Sequence, residues 1–429
     1  MHQLSTSGAN DAPPSRGARV GPGSRVQLIE TDPMVKIASL KTFVVDAFRA
    51  NYVFVKVFTD AGITGVGEGT VEGSELTVAQ CIEEFGRYLV GRPAFEIEHH
   101  VEMMSRDWYW RTGVIHRSAI SALEAALLDI KGKALGVPVY ELLGGRHRDR
   151  VPCYANAWFT GAREPAQFAR KAEVALDLGF KALKWDPFGT AYLTMTRQER
   201  NRAVAIVAAV RDAVGNDIDL MIEGHGRLNV PTAVAMAGEL APFHPYWFEE
   251  PIPPESIDAL AEVRTRSPIP IAAGERYYEP ERFRELMDHG AVDFVQPDVC
   301  HVGGIGEARK IAALAHMRFL PVAPHNPMGP IGNAMTLHLA ASIPNFEMLE
   351  TMASDVPWRS EVVKEDLVLV DGQMLIPERP GLGIDIDEEA CARHPHRAYP
   401  LRHYIGTLTD IRPVSATPFF RIEKQSANA

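Results

Sequence analysis

Three glutamates each end a short apolar run, and they follow one another at equal intervals along the chain. Glu223 follows Asp-Leu-Met-Ile, Glu249 follows Pro-Tyr-Trp-Phe, and Glu275 follows Ile-Pro-Ile-Ala-Ala-Gly, with a step of 26 residues each time. One step accommodates a strand, a helix and two loops. Because neighbouring strands of a β/α barrel end at the same mouth, the three carboxylates are predicted to converge there. Converging oxygen ligands are what Mg²⁺ requires, so the sequence predicts one Mg²⁺ site per subunit.

Strand-like and helix-like segments alternate strictly from Val151 onward. Eight strands are expected, at 151–158, 182–188, 219–225, 247–252, 270–275, 294–299, 320–325 and 346–351. Eight such strands with helices between them favour a β/α barrel over an open sheet. The preceding part of the chain reads instead as a three-stranded antiparallel meander followed by helices. This order predicts a separate α+β domain.

The expected domain organisation has four parts. Residues 1–33 are rich in Ser, Gly, Pro and Arg without apolar periodicity, and they are predicted to form a disordered arm. Residues 34–148 are the main part of the α+β domain, and residues 149–383 form the barrel. Residues 384–429 are expected to pack back on the α+β domain.

Composition limits the classes of partner. The 429 residues carry a formal net charge of −11, which argues against nucleic acid or an anionic membrane as the main partner. No apolar run approaches the 18 residues that a membrane span needs. The four cysteines are far apart and form no C-x-x-C motif, which indicates buried thiols in a reducing cytoplasm.

Two histidines are candidates for proton transfer at the predicted barrel mouth. Asp298 and His325 end the sixth and seventh predicted strands, and a carboxylate that holds one imidazole nitrogen fixes the tautomer of a general base. His225 lies two residues after Glu223, so both side chains are expected on one face of the third strand. The alternative is that Gly224-His225-Gly226 is only a turn.

Two further predicted strand ends carry charged residues. Lys184 and Asp186 share a face of the second strand, where Lys184 is expected to stabilise an anion or simply to pair with Glu223. On the last strand, position selects Glu350 over Glu347 as the residue at the C-terminal end. To donate a hydrogen bond to a bound carboxylate, Glu350 would have to be protonated. Burial and neighbouring negative charge both raise its pKa and so allow this role.

These features together resemble the enolase superfamily and, within it, the mandelate racemase group. The resemblance extends from Val35 onward and includes Leu-Leu-Gly-Gly at 142–145, Phe-Glu-Glu-Pro at 248–251, Gly-Glu at 274–275 and Gly-Gly-Ile at 303–305. It implies a capping domain over a modified (β/α)7β barrel, with Mg²⁺ bound by Glu223, Glu249 and Glu275. Of the pair Glu249-Glu250, the first is the implied ligand. Lys184 and Glu350 match the secondary stabilising groups of the family.

The resemblance also implies a reaction, the removal of the proton α to a carboxylate to give an enediolate held by Mg²⁺. Asp186 stands where racemases of the group carry a second lysine base, so two-base racemisation through that lysine is not expected. An acid-x-His third strand opposite Asp298 and His325 is similar to the sugar-acid dehydratases of galactonate and gluconate type. In that reading one histidine removes the C2 proton, and His325 is favoured for this because of its aspartate partner. His225 protonates the departing 3-hydroxyl, and the product is a 2-keto-3-deoxy acid. The reverse assignment of the two histidines stays open.

Several points stay open at the level of sequence. Candidate segments for substrate specificity are Arg49–Tyr52, Trp108–His116 and Trp158, although most aromatic residues there are expected to pack between the domains instead. Arg111, His116 and Asp186 are further candidate substrate contacts. An epimerase or cycloisomerase that uses both histidines as bases is one alternative. A binding or scaffold protein that keeps the fold is another, although a scaffold has no use for so much buried like charge. A homo-oligomer with a small acid sugar as substrate is expected.

Overall fold

The structure is a computed structural model that describes residues 35–400 and 411–423. The predicted N-terminal arm lies outside these residues. The first domain begins with strands β1 (Ile37–Asp46), β2 (Asn51–Thr59) and β3 (Thr64–Glu68), which form an antiparallel sheet in the order β1-β2-β3. Helices α1 (Glu75–Leu89), α2 (Ile97–Arg106), α3 (Val114–Leu135) and α4 (Val139–Leu142) follow. The predicted α+β domain is therefore confirmed.

Helix α3 packs unusually close to strand β3. A Cβ atom added at Gly67 would lie 1.9 Å from the Ala122 carbonyl oxygen, and one added at Gly65 would lie 2.0 Å from that of Ala126. Residues with side chains cannot occupy these positions while the helix stays in place. The glycines of β3 thus let a long, mostly buried helix lie directly on the sheet.

The second domain is a parallel barrel. Its strands are β4 (Arg150–Asn156), β5 (Ala182–Trp185), β6 (Asp219–Glu223), β7 (Trp247–Glu249), β8 (Ile271–Ala273), β9 (Phe294–Val295) and β10 (Leu349–Met352). Helices α5 (Pro165–Asp177), α6 (Arg197–Val214), α7 (Val230–Leu240), α8 (Ile257–Arg266), α9 (Pro280–Asp288), α10 (Ile305–His316) and α11 (Pro330–Ser342) alternate with them. Strand β10 pairs in parallel with β4 and closes the barrel, so the predicted (β/α)7β class is confirmed.

The seventh strand, predicted over 320–325, is much shorter than expected. Only Val322 makes strand-like pairings there, with Val295 on one side and Phe346 on the other. Pro321 and Pro324 flank it, and proline has no N–H to donate to a sheet ladder. The barrel therefore closes at this point through single bridges.

The chain after β10 returns to both domains. Strands β11 (Val368–Val370) and β12 (Gln373–Leu375) form a hairpin, and β12 pairs with β4 at the bottom of the barrel. After helix α12 (Glu388–Arg393), the His394 carbonyl accepts a hydrogen bond of 2.9 Å from the N–H of Asp46 in the first domain. Strand β13 (Arg421–Glu423) then pairs with β11. The exact domain limits stay predictions.

None of the helices in residues 35–400 and 411–423 has the length and apolar character needed to cross a bilayer.

Candidate active site

Three carboxylates form a compact cluster at the mouth of the barrel. Glu223 and Glu249 end strands β6 and β7, and Glu275 follows β8; one oxygen of each lies within 4.8 Å of the others. Burial and the neighbouring Glu249 raise the pKa of Glu223. Among the described residues its Oε2 accepts no hydrogen bond, and Lys184 Nζ approaches this oxygen only at ion-pair distance, 3.3 Å. Buried like charges at this spacing repel one another unless a cation lies between them. These residues therefore fit a hard divalent cation with oxygen ligands.

Lys184 on β5 places a positively charged ammonium group beside the carboxylate cluster. Its Nζ lies 2.7 Å from Glu249 Oε1, 2.9 Å from Glu350 Oε1 and 3.3 Å from Glu223 Oε2. Burial alone would lower the pKa of Lys184, but Glu249 and Glu350 raise it well above its ordinary value. Lys184 is thus a buried, charged lysine beside the cluster. It contacts Glu249 and Glu350 in addition to Glu223, the one partner that the sequence predicted.

The two adjacent glutamates after β7 face different partners. Glu249 accepts a hydrogen bond of 2.9 Å at Oε2 from the Trp247 indole and contacts Lys184 through Oε1. Glu250 has a φ of 37° and pairs at 2.7 Å with Arg276 instead. This local turn leaves Glu249 in the cluster and directs Glu250 away from it.

His325 and Asp298 are in contact, as their positions on adjacent strands predict. Asp298 Oδ2 lies 2.7 Å from His325 Nδ1, while His325 Nε2 lies 3.3 Å from Glu275 Oε2. Burial would lower the pKa of His325, but Glu275, Glu350 and Asp298 raise it to about 10. A cation at the cluster would offset part of this negative charge and favour the neutral base. The nitrogen that faces the cluster is the one free to take a proton from a ligand.

His225 forms a second histidine–aspartate pair. Strand β6 ends at Glu223, and His225 adopts a φ of 46° in the turn beyond it. Its Nδ1 lies 2.6 Å from Asp186 Oδ2, and Asp186 also pairs with Arg227. Burial raises the pKa of Asp186, but Arg227 and His225 lower it overall. These two side chains engage the carboxylate of Asp186, so the structure places it as the partner of His225, and a direct contact with substrate stays a prediction.

Glu350 on β10 lies between Lys184 and His325. Its Oε1 contacts Lys184 and accepts a hydrogen bond of 2.7 Å from Asn156, and its Oε2 accepts one of 2.9 Å from the N–H of Asn326. Burial raises its pKa, but Lys184 and His325 outweigh burial and lower it. Lys184 and His325 thus favour the ionised carboxylate here, and the role of Glu350 as a protonated donor to a bound carboxylate stays a prediction. The sequence argument counted the neighbouring acids but not the lysine that reaches between them.

A cavity of about 360 Å³ joins these groups, within the usual range for small-molecule sites. Lys184, Glu223, His225, Glu275 and His325 line its barrel side. The first domain adds Arg49 and Tyr52, both within the predicted specificity segment, together with Thr70 and Glu72. Sequence reasoning missed His301, Arg276, Ile411 and Arg412, which also line it. His301 and Arg276 follow predicted strand ends and could have been found there, whereas Ile411 and Arg412 are far from any motif.

Three predicted substrate contacts lie elsewhere. Trp158 is buried among aromatic rings, and its indole donates a hydrogen bond of 3.0 Å to the Lys184 carbonyl. Arg111 and His116 line a separate cleft beside α9, and His116 packs against the Trp108 ring. The loop that carries Arg111 is held outward, since the N–H of Gly113 donates to Glu279 at 3.0 Å. These positions do not bring the three residues to the cavity.

Comparisons with known proteins agree with this architecture. Residues 167–390 match the family model described as enolase C-terminal domain-like, and residues 25–144 match that of the mandelate racemase / muconate lactonizing enzyme N-terminal domain. D-gluconate dehydratase of Thermoproteus tenax is 36% identical over 368 residues, which cover 84% of this chain and 73% of that protein. D-galactonate dehydratase of Pectobacterium atrosepticum is 36% identical over 382 residues, covering 88% and 98%.

A solved structure gives the same result for the fold. A member of the enolase superfamily from Salmonella Typhimurium superposes with a TM-score of 0.81 at 30% identity, covering 84% of this chain and 99% of that one.

Proposed function

The chain belongs to the mandelate racemase / muconate lactonizing enzyme group of the enolase superfamily, and from this premise we propose that it is a Mg²⁺-dependent hydro-lyase. It would dehydrate a sugar acid, an aldonate or an aldarate, to a 2-keto-3-deoxy acid. One observation carries the proposal: the histidines of two histidine–aspartate pairs, His325–Asp298 and His225–Asp186, line one cavity together with Glu223 and Glu275 of the carboxylate cluster. The names of the dehydratase relatives support the same reaction.

The first half of the reaction is proton removal from C2. Glu223, Glu249 and Glu275 would hold Mg²⁺, which when bound supplies a Lewis acid for the substrate carboxylate and 2-hydroxyl. Nε2 of His325 takes the C2 proton while Asp298 keeps Nδ1 protonated and the ring oriented. Lys184 lies beside the cluster, where its charge stabilises the negative charge that develops on the carboxylate oxygens.

The second half is loss of the 3-hydroxyl. Nε2 of His225 donates a proton to this oxygen, the C3–O bond breaks, and water leaves. Asp186 lies 2.6 Å from Nδ1 of the ring and fixes its orientation, which leaves Nε2 as the nitrogen that carries the transferred proton. The resulting enol takes a proton at C3 and loses the proton of its 2-hydroxyl, which gives the 2-keto acid. His325 then releases the proton that it took from C2, and His225 regains the one that it gave to the leaving oxygen.

The experiment that tests the proposal is a screen of the purified protein with Mg²⁺ against aldonic and aldaric acids, with 2-keto acid formation as the readout. A strong hit whose product is lighter than the substrate by one water supports dehydration. Products of unchanged mass would favour the second candidate, an epimerase, which the presence of two oriented histidines in one cavity makes chemically reasonable. The absence of any keto acid across a complete set of C4 to C6 acids would contradict the proposal.

Replacement of His225 by asparagine should separate the two halves of the reaction. We expect kcat for keto acid formation to fall by about 10²- to 10⁴-fold, because the leaving oxygen loses its proton donor. Exchange of the C2 proton with deuterated water should continue, since His325 and Asp298 are unchanged. Nuclear magnetic resonance of the substrate pool measures the exchange. Loss of exchange in this variant would reverse the roles of the two histidines.

A further inference from the structure

Two residues of the C-terminal segment, Ile411 and Arg412, form part of the cavity wall. We propose that Arg412 is a specificity-determining residue that donates hydrogen bonds to oxygen atoms at the end of the sugar acid remote from its reacting carboxylate. The inference rests on the proposed function, because it assigns the substrate of that same site a second point of recognition.

Arg412 is held firmly in this position. Its side chain is 7% exposed, and its Nε lies 2.7 Å from Asp355 Oδ1. The backbone nearby is fixed as well, since Asp355 and Thr417 exchange hydrogen bonds of 2.9 and 3.0 Å between their main chains. A buried guanidinium that is positioned by an ion pair and a backbone bridge loses little freedom when a ligand binds to it.

Arg412 retains donors for a ligand. Within residues 35–400 and 411–423, its recorded contacts are with the Asp355 carboxylate and, at 2.7 Å, the Ile411 carbonyl. Of the five N–H groups of the guanidinium, two donate hydrogen bonds, one from each terminal nitrogen, while Nε faces Asp355 Oδ1 as an ion pair. Asp355 is also shared, because Arg359 lies 2.6 Å from its Oδ2 and the Tyr52 hydroxyl donates to it at 2.8 Å. Its charge is therefore divided between two guanidinium groups.

The place of Arg412 in the cavity indicates which end of the substrate it meets. The reacting carboxylate is expected at the cluster, beside Lys184. Arg412 does not contact the three carboxylates of the cluster. It pairs with Asp355, which also accepts a hydrogen bond from Tyr52 of strand β2. It thus lies where the first domain covers the barrel. The carbons beyond C3 must extend toward this wall, and they carry hydroxyl groups in an aldonate or a second carboxylate in an aldarate.

The test compares substrates of different length in the full-length protein. Arg412→Met should raise KM for the six-carbon acid found in the screen by about 10- to 100-fold, the loss expected for charge-assisted hydrogen bonds, with a smaller change in kcat. For a three- or four-carbon 2,3-dihydroxy acid, which cannot reach Arg412, the KM should stay as in the wild type. A larger rise in KM for an aldarate than for an aldonate would show that Arg412 donates to the second carboxylate of the substrate.

Two further variants keep the test independent of folding. Arg412→Lys retains a cation against Asp355 but lacks the planar fork, so an intermediate rise in KM for the long acid is expected. Arg421→Met removes a guanidinium from the same segment on strand β13, outside the cavity lining, and should leave the kinetics unchanged. An equal rise in KM for the long and the short acids, or no rise for either, would overturn the role of Arg412. Turnover by the wild-type protein would still support the dehydratase proposal in both cases.

Discussion

Replacement of His325 by asparagine is expected to remove both dehydration and C2 proton exchange. His325 Nε2 lies 3.3 Å from Glu275 of the cluster, where the C2 carbon of a bound acid would be, and Asp298 orients the ring from the other side at 2.7 Å. Asparagine keeps a polar group of similar reach but cannot accept the proton. We expect kcat/KM to fall by about 10²- to 10⁴-fold, measured as keto acid formation and as deuterium incorporation.

A surface pair provides the control for this variant. His289 and Asp258 form an exposed histidine–aspartate contact of 2.8 Å, and neither residue lines the cavity. His289→Asn should therefore leave both readouts unchanged, which separates loss of the base from loss of a histidine in general. Continued C2 exchange in His325→Asn, at the wild-type rate, would contradict the assignment of His325 as the base.

The parts of the site that sequence predicted are those fixed by strand order. Glu223, Glu249 and Glu275 converge because consecutive parallel strands end at one mouth, and this follows from their spacing alone. The contact between Asp298 and His325 has the same origin. The class of the barrel was predictable for the same reason, although prolines shortened its seventh strand below what the apolar pattern indicated.

Features that depend on packing between distant segments were not predictable. The partner of Asp186 was missed because it depends on how the turn at His225 rotates the imidazole toward β5. The ionisation of Glu350 depends on Lys184 reaching it from another strand. Arg111 was a candidate contact for the substrate, but the packing of its loop places it in a separate cleft beside α9. No pattern in the sequence indicates that Arg412 returns to the cavity.

Replacement of Glu249 by glutamine is expected to remove most of the Mg²⁺ response of the protein. A cation that binds only the folded state stabilises it by about 2.7 kcal/mol when its concentration is 100 times Kd. The wild-type thermal midpoint should therefore rise with added Mg²⁺. In the variant one of three charged ligands becomes a neutral amide, so the rise should be largely lost and keto acid formation should be lost with it. Calorimetry with and without Mg²⁺ measures the first effect.

The adjacent glutamate is the matched control, because the chain places two carboxylates side by side and the structure gives them different partners. Glu250 pairs with Arg276 at 2.7 Å and lies outside the cluster, so Glu250→Gln should keep the Mg²⁺-induced rise in thermal midpoint even if its absolute stability changes. Glu249→Gln also breaks contacts with Lys184 and Trp247, which changes the thermal midpoint even without Mg²⁺. The quantity to compare is therefore the Mg²⁺-induced shift of each variant, not its absolute midpoint. A full Mg²⁺ response in Glu249→Gln, or its loss only in Glu250→Gln, would contradict the assignment of the first glutamate as the ligand.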